Sequence, residues 1–203
     1  MLPFSEACER NKEPILNVLR ICFADRAHVL EIGSGTGQHA VYFAAQLAHL
    51  IWHPTERLEY LPQLTARVQA EGGRNLKIPT VLDVHQSVWP LRSVDAIFTA
   101  NTLHIMSWPE VIDMFRGIAA TLAPSGTFCV YGPFHYGGTH TSPSNVEFDR
   151  MLRDRDPESG VRDIQAVVDL AAAAGLNLQA DHDLPAFNRL LVFVNEHMKT
   201  PRD

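Results

Sequence analysis

The chain has 203 residues, of which 46% are hydrophobic and 20% charged, a composition typical of a globular protein. The formal net charge of −6 argues against the broad basic face that non-specific nucleic-acid binding requires. The cysteines form no C-x-x-C pair, the charged N-terminus has no apolar signal core, and no apolar stretch approaches roughly 18 residues, so we expect a cytoplasmic protein without membrane attachment.

Helices and strands alternate along the chain according to its hydrophobic periodicity. The predicted helices cover residues 14–23, 38–48, 59–71, 108–122, 145–155 and 164–174. The predicted strands cover residues 29–32, 50–52, 80–82, 94–100, 127–131, 176–180 and 190–194. Pro54 ends the second predicted strand, and capping boxes are predicted at Ser107 with Glu110 and at Ser144 with Glu147.

This alternation predicts an α/β fold with a Rossmann-like, doubly wound sheet of seven mostly parallel strands. Residues 181–189 are too few for a crossover helix, so the last strand should be antiparallel. We interpret residues 1–203 as a single domain, with 1–24 as an N-terminal helical cap and 132–160 as a substrate-side insertion. Ligands of such sheets bind beyond the carboxyl ends of the strands.

The most informative motif is the glycine loop, which follows the first predicted strand and reads Gly33-Ser34-Gly35-Thr36-Gly37. Glycines allow a sharp turn and let bare backbone approach a ligand, because they have no Cβ. A dinucleotide fingerprint, G-x-G-x-x-G, needs its third glycine at position 38, which is Gln38 here. The spacing therefore disfavours a nicotinamide-dependent oxidoreductase, which we keep as the third hypothesis.

A carboxylate follows the second predicted strand, about 20 residues beyond the glycine loop, where such groups accept ribose hydroxyls. Glu56 is the candidate for this role. Pro54 and Thr55 separate it from the predicted strand end, so a solvated loop glutamate is the alternative, and Glu59 is a competitor.

Two further strand ends carry candidate functional residues. Asn101 follows the fourth predicted strand and would contact the ligand through its backbone or amide. His104 is a candidate general base, because imidazole titrates near neutrality, although a structural role is the alternative. Tyr131 and His135 follow the fifth strand as further candidate bases, in an aromatic, glycine-rich run that suits a pocket wall or simply covers the core edge. His135 and His140 have no further ligands at credible spacing, so we expect no metal site.

The predicted helix over 145–155 carries several arginines. Asp149 and Arg153 stand at i,i+4, which is typical of solvated ion pairs. The alternative is that these arginines receive an anionic substrate.

Several of these segments resemble known proteins. The glycine loop and the predicted sheet are similar to those of class I S-adenosylmethionine-dependent methyltransferases. Residues 9–16, 52–55, 131–134, 144–145 and 148–157 resemble one uncharacterised methyltransferase-like family, described as a domain of unknown function, over nearly the whole chain. The resemblance implies S-adenosylmethionine as cofactor and methyl transfer to an unidentified small-molecule acceptor.

The same resemblance assigns roles to individual residues. Glu31 would help to hold the methionine end of the cofactor, and Arg10 or Lys12 its carboxylate. Asp83 would meet the adenine amino group, with the backbone of Val84 alongside. A structural hydrogen bond for Glu31, a turn for Asp83 and plain surface charge for the two cations are the alternatives.

A second hypothesis is a non-catalytic S-adenosylmethionine-binding module that acts through a partner protein. The absence of an unmistakable base in the sequence keeps this hypothesis open.

Overall fold

A computed structural model describes residues 2–196 of the chain as an α/β fold. Its helices are α1 (Glu6–Cys22), α2 (Gln38–Gln46), α3 (Leu61–Glu71), α4 (Trp108–Thr121), α5 (Pro143–Arg155) and α6 (Ile164–Ala173). Its strands are β1 (His28–Ile32), β2 (Ile51–Glu56), β3 (Thr80–Val81), β4 (Val94–Ala100), β5 (Leu122–Gly132), β6 (Phe134–Tyr136), β7 (Thr139–His140), β8 (Arg162–Asp163), β9 (Leu176–Leu184) and β10 (Asn188–Asn195). A 3-10 turn, Pro185–Phe187, joins the last two strands.

The main sheet has seven strands in the order β3-β2-β1-β4-β5-β10-β9. Strands β1 to β5 pair in parallel where they are neighbours, whereas β10 runs antiparallel to both β5 and β9. This confirms the predicted doubly wound sheet with an antiparallel last strand. A small sheet of β7, β6 and β8, which the sequence did not predict, lies outside the main one.

Side chains of each central strand alternate between two cores, one on either face of the sheet. Val29 and Phe98 belong to the core under α1, α2 and α3. Their neighbours Leu30 and Ile97 belong to the core under α4 and α6. A sheet covered on both faces must be apolar on both, and this explains the continuous apolar run in β1. No helix within residues 2–196 is long and apolar enough to cross a membrane.

The first helix begins earlier than predicted. Ser5 caps α1 by accepting a hydrogen bond from the Cys8 amide, and Pro14 lies inside the helix. The prediction that Pro14 opens the helix was wrong, because one missing donor is tolerated in a helix whose apolar face is buried by Ile15, Leu16 and Leu19.

Strand β2 also differs from its prediction, since it continues through Pro54 to Glu56. The Trp52 amide points towards the outer edge of the sheet, where it donates to the Asn75 carbonyl. The nitrogen of Pro54 faces the same edge, because backbone groups alternate along a strand. At that edge, Pro54 lies between two points of pairing, the β-bridge of Trp52 with Leu76 and the pairing of Thr55 with Thr80. Because no partner strand pairs with Pro54 there, its missing N–H removes no hydrogen bond from the sheet.

The two predicted capping boxes have different outcomes. Ser107 and Glu110 form the predicted reciprocal bonds at the start of α4. At α5 the prediction was wrong: Ser142, rather than Ser144, accepts from the Asn145 amide. Pro143 occupies the first turn of that helix, where its fixed φ and missing N–H are favourable.

The helix α4 offers a test of the packing. A Cβ on Gly117 would overlap the indole ring of the buried Trp89. Alanine normally favours a helix over glycine by about 0.5–1 kcal/mol, but overpacking costs about 1–3 kcal/mol. We therefore expect Gly117→Ala to lower the free energy of unfolding, measured by urea denaturation.

The control for that test is Gly73→Ala, whose Cβ would meet only Asn75 Oδ1, at 3.5 Å. It should leave the unfolding midpoint nearly unchanged. A Gly117→Ala protein as stable as the wild type would show that Trp89 does not pack against α4 as described.

Candidate functional site

One large cavity, of about 1580 Å³, opens at the carboxyl ends of the parallel strands. Its wall takes residues from the loops that follow β1, β2, β3 and β4, and from the end of β5. The first turns of α1, the inner face of α5 and the turn between β9 and β10 complete it. The cavity therefore lies where the sheet topology predicts a ligand site.

The three glycines of the loop between β1 and α2 share a left-handed backbone but have different surroundings. Their φ angles are +69°, +53° and +78° for Gly33, Gly35 and Gly37. A Cβ on Gly33 would lie 2.5 Å from Thr102 Cγ2, and one on Gly37 would lie 2.8 Å from Leu64 Cδ1. A Cβ on Gly35 would meet nothing within 4 Å, and Gly35 lines the cavity. The missing Cβ of Gly35 therefore leaves space that a ligand can fill, whereas the missing Cβ atoms of Gly33 and Gly37 leave space that other side chains of the protein fill.

Glu56 is fixed beside this loop. Its Oε2 accepts a hydrogen bond of 2.7 Å from the Gly35 amide, and its Oε1 accepts one of 2.8 Å from the Arg57 amide. Because β2 continues to residue 56, Glu56 is the last residue of its strand. The predicted separation of Glu56 from the strand end by Pro54 and Thr55 was therefore wrong. The competitor Glu59 pairs instead with Arg57 at 2.7 Å and is not part of the cavity wall.

The loops after β3 and β4 bring further predicted residues to the wall. Asp83 and Val84 both line the cavity, and Asp83 also forms a turn by accepting a 3.0 Å hydrogen bond from the His85 amide. Asn101 also lines the cavity, and its backbone has the left-handed conformation, with φ +60°. Its backbone N–H donates a 2.8 Å hydrogen bond to the Tyr131 carbonyl. Ser34 is also on the wall.

The N-terminal residues are attached to the glycine loop by two side chains. Gln38 Oε1 accepts a 2.6 Å hydrogen bond from the Ser5 amide, and Gln38 Nε2 donates to the Ser5 carbonyl. The buried Arg67 donates to the carbonyls of Pro3 and Thr36. The residue that replaces the third glycine of a dinucleotide loop therefore holds α1 across the cavity.

Arg10 and Asn11 of α1 line the cavity. No carboxylate among residues 2–196 forms an ion pair with Arg10, which leaves its guanidinium available to an anion. Asn11 Oδ1 lies 2.7 Å from Nε2 of the buried His39, which the sequence analysis missed. Burial lowers the pKa of His39 to about 4, so its ring is neutral at pH 7.

Four predicted residues are not on the cavity wall. Lys12 pairs with Glu9 on the outer side of α1, with Nζ 4.8 Å from the Tyr42 ring centroid. Gly37 packs against Leu64 and Arg67, as described above. His135 lies in the small sheet, where its Nδ1 is 3.0 Å from Asp163 Oδ2. The structure does not bring Lys12, Gly37 or His135 to the cavity wall, and their expected roles at the ligand or as a base stay predictions.

Glu31 is the fourth predicted residue that does not line the cavity, because its carboxyl group is buried behind the glycine loop. Its Oε2 accepts a 2.8 Å hydrogen bond from the indole Nε1 of Trp52. Burial raises the pKa of Glu31 to about 7, against the lowering effect of this bond. This contact matches the structural alternative for Glu31, a hydrogen bond within the protein, and its expected role at the methionine end of the cofactor stays a prediction.

His104 and Tyr131 do line the cavity, and both are buried. Burial, together with the positive charges of Arg162 and Arg155, lowers the pKa of His104 to about 4. Its ring packs edge-on against Phe148, with centroids 5.1 Å apart, and no residue within 2–196 hydrogen-bonds its nitrogens. Burial also raises the pKa of the Tyr131 phenol. Both side chains are therefore neutral at pH 7.

The backbone of the loop that carries His104 is fixed by hydrogen bonds from residues 159–162. Arg162 Nε donates to the Leu103 carbonyl at 3.0 Å, and its Nη2 donates to the Met106 carbonyl. The Gly160 amide donates to the His104 carbonyl at 2.9 Å, and Ser159 Oγ donates to the Ile105 carbonyl at 2.7 Å. These bonds fix the backbone of residues 103–106 and leave the imidazole to the cavity.

Other wall residues escaped the sequence analysis, notably Asn145 and Asn188. Asn145 lies in one of the segments that carry the family resemblance, but no role was expected for it, and Asn188 belongs to no motif and lies two residues before the predicted start of the last strand. Within the described part of the chain, no group of three or more histidine, cysteine or acidic side chains is placed to hold a metal ion.

The position of Glu31 leads to a prediction about pH. Its folded pKa, about 7, lies above the unfolded value of 4.5, so its ionisation destabilises the fold as the pH rises from 4.5 through 7. Glu31→Gln keeps an acceptor for Trp52 and carries no charge. It should raise the free energy of unfolding at pH 8 by on the order of 3 kcal/mol, and by much less at pH 5.

Urea denaturation at both pH values measures this difference, with Glu59→Gln as the exposed control. A Glu31→Gln protein less stable than the wild type at pH 8 would mean that the ionised carboxylate has a stabilising partner.

The comparisons with known proteins agree with this arrangement. The chain is similar to human N-acetylserotonin methyltransferase in complex with SAM, with a TM-score of 0.80, 14% identity and coverage of 95% of this chain and 53% of that one. It is also similar to an O-methyltransferase family protein from Burkholderia thailandensis, with a TM-score of 0.80, 13% identity and coverage of 94% and 57%.

A third similar structure is an O-methyltransferase family 2 protein from Planctomyces limnophilus in complex with apigenin, with a TM-score of 0.78, 15% identity and coverage of 91% and 56%. The chain thus spans about half the length of these structures, and at such identities the likeness establishes a common fold. One family model matches residues 2–195. The protein has the class I methyltransferase fold and belongs to the family described as "Protein of unknown function (DUF938)".

Proposed function

We propose that the protein transfers a methyl group from S-adenosylmethionine to a small-molecule acceptor. The observation that carries this proposal is the open backbone at Gly35 beside the fixed carboxylate of Glu56. A ligand there meets bare peptide groups and a carboxylate positioned to accept two hydroxyls, which fits the ribose of an adenosyl compound. The solved structures that share the fold include methyltransferases, and this supports the same assignment.

The remaining wall residues fit the other parts of this cofactor. Asp83 and Val84, which line the cavity on the loop after β3, would lie beside the adenine. Arg10 supplies a cation for the methionine carboxylate. Ser34 and Asn101 also line the cavity and would contribute further polar groups to the cofactor.

The cofactor would supply a methyl group on a sulfonium, which is already electrophilic. The protein then has to align the acceptor with that methyl group and exclude water. His104 is our candidate for accepting the acceptor's proton, because its ring is neutral at pH 7 and unbonded. Tyr131, which also lines the cavity and is protonated at pH 7, is the candidate for orienting the acceptor by a hydrogen bond.

The glycine loop gives the direct test. Gly35→Val places a branched side chain in the open space of the cavity, so it should abolish S-adenosylhomocysteine binding, measured by titration calorimetry. A non-glycine residue at φ +53° is also strained, and the control must share that strain.

Gly137→Val is a matched control. Gly137 has φ +55° and open space around it, but it lies outside the cavity wall. It should lose stability to a similar degree and keep its affinity for S-adenosylhomocysteine. Equal affinities of wild type and Gly35→Val would overturn the proposed site, as would a wild type that does not bind.

The carboxylate of Glu56 gives an independent test. Glu56→Gln keeps the shape, removes the charge from its hydrogen bonds with ribose and leaves one oxygen instead of two as acceptor for the Gly35 and Arg57 amides. Charge-assisted hydrogen bonds contribute about 1.5–3 kcal/mol. We expect its dissociation constant for S-adenosylhomocysteine to rise about tenfold or more. Glu59→Gln, outside the wall, should bind like the wild type; equal weakening in both variants would indicate a general charge effect.

A further inference from the structure

One part of the cavity wall has a different chemistry from the part beside the glycine loop. This part takes apolar or aromatic side chains from four separate segments: the loop after β4, the residue between β5 and β6, helix α5 and the turn between β9 and β10. These residues are Ile105, Met106, Pro133, Phe148 and Pro185. We call this part the acceptor half. Such a wall suits a flat or apolar molecular body.

Helix α5 presents one face to the acceptor half. Its wall residues are Ser144, Asn145, Phe148 and Arg155. Phe148 and Arg155 are seven residues apart, which is two helical turns, so they lie on the same face. Arg150 and Arg153 lie off that face and are not part of the wall.

The three arginines of α5 also differ in their partners. Arg150 pairs with Glu147 and Asp154, and Arg153 Nε lies 3.1 Å from Asp149 Oδ2. No carboxylate within residues 2–196 lies within ion-pair distance of Arg155. Its charge instead acts on His104, whose positive form it disfavours. Arg155 is therefore the arginine of this helix that combines a cavity position with a free guanidinium.

Two acidic residues on the same stretch of wall are already bound to backbone amides. Glu110 Oε2 accepts from the Ser107 amide at 2.7 Å, and Asp156 Oδ1 accepts from the Glu158 amide at 3.0 Å. The macrodipole of α5 accounts for basic residues in its last turn. The macrodipole does not account for the placement of Arg155, the arginine without an ion-pair partner, on the cavity wall.

We propose that the methyl acceptor is an organic oxyanion with an apolar body, and that Arg155 binds its carboxylate or phosphate group. The planar guanidinium matches both groups through two parallel hydrogen bonds. The acceptor's apolar body then lies against Phe148 and Ile105, with His104 beside its nucleophilic atom. This inference rests on the proposed methyl transfer, whose acceptor class it specifies.

The test uses matched probes that differ only in their charged group: 2-naphthoate, 2-naphthyl phosphate and the neutral 2-naphthamide. Each is titrated into the full chain saturated with S-adenosylhomocysteine, in low-salt buffer at pH 7. We expect at least one anion to bind about tenfold or more tightly than the amide. The better of the two anions identifies the group as carboxylate or phosphate.

Arg155→Ala should reduce this preference to about one and leave the affinity for S-adenosylhomocysteine unchanged. Arg155→Lys should restore part of it, because the charge returns without the planar fork. Arg150→Ala is the control on the same helix, and it should keep the full preference. Higher salt should diminish the preference in the wild type, since Arg155 is exposed.

The inference is overturned if the wild type binds the amide as well as both anions, if it binds none of the three, or if Arg155→Ala keeps the preference. A failure of the proposed function is a different result, namely a wild type that does not bind S-adenosylhomocysteine while its discrimination between the probes is unaffected.

Discussion

The parallel pairing of β1 with β2 and β4 is the constraint on which the rest of this structure depends. It aligns Glu31 with Pro54 and Ile32 with Thr99, so the loops that follow these strands begin at one edge of the sheet. Residues far apart in the chain, such as Gly35 and Glu56, are thereby brought within a single hydrogen bond. The glycines are needed because this edge is crowded: Thr102 and Leu64 leave no room for a Cβ at two of the three positions.

The N-terminal helix is held over this edge by polar side chains rather than by apolar packing alone. Arg67 is buried, and a buried guanidinium is costly unless it is hydrogen-bonded and paired. Its bonds to two backbone carbonyls and its 2.7 Å pair with Glu71 meet that requirement. Arg67 therefore couples α3, the glycine loop and the residues before α1, so the position of one depends on the others.

Three buried titratable groups near the cavity, Glu31, His39 and His104, have pKa values shifted towards their neutral forms. Burial acts in opposite directions on acids and bases, raising the pKa of Glu31 and lowering those of His39 and His104. The permanent charges of the cavity wall are carried by other side chains, among them Arg10, Arg155 and Glu56. Arg10 and Arg155 form no ion pair with a carboxylate within residues 2–196, so their guanidinium groups are available to an anionic part of a ligand.

The sequence by itself determined the fold class, the mostly parallel direction of the strands with an antiparallel last strand, and the edge at which the site lies. It could do so because hydrophobic periodicity and glycine spacing are local properties, and a parallel sheet has only one place for its loops to meet. Only the tertiary structure decided which residues of that edge reach the cavity. Glu31 and Lys12 carry charges that suit a ligand, yet neither lines the cavity. Glu31 lies in the core, where it accepts a hydrogen bond from Trp52, and Lys12 pairs with Glu9 on the outer side of α1. Arg155 looks like its neighbours in the sequence and differs from them only through the helix face on which it stands and the pairing of the other two.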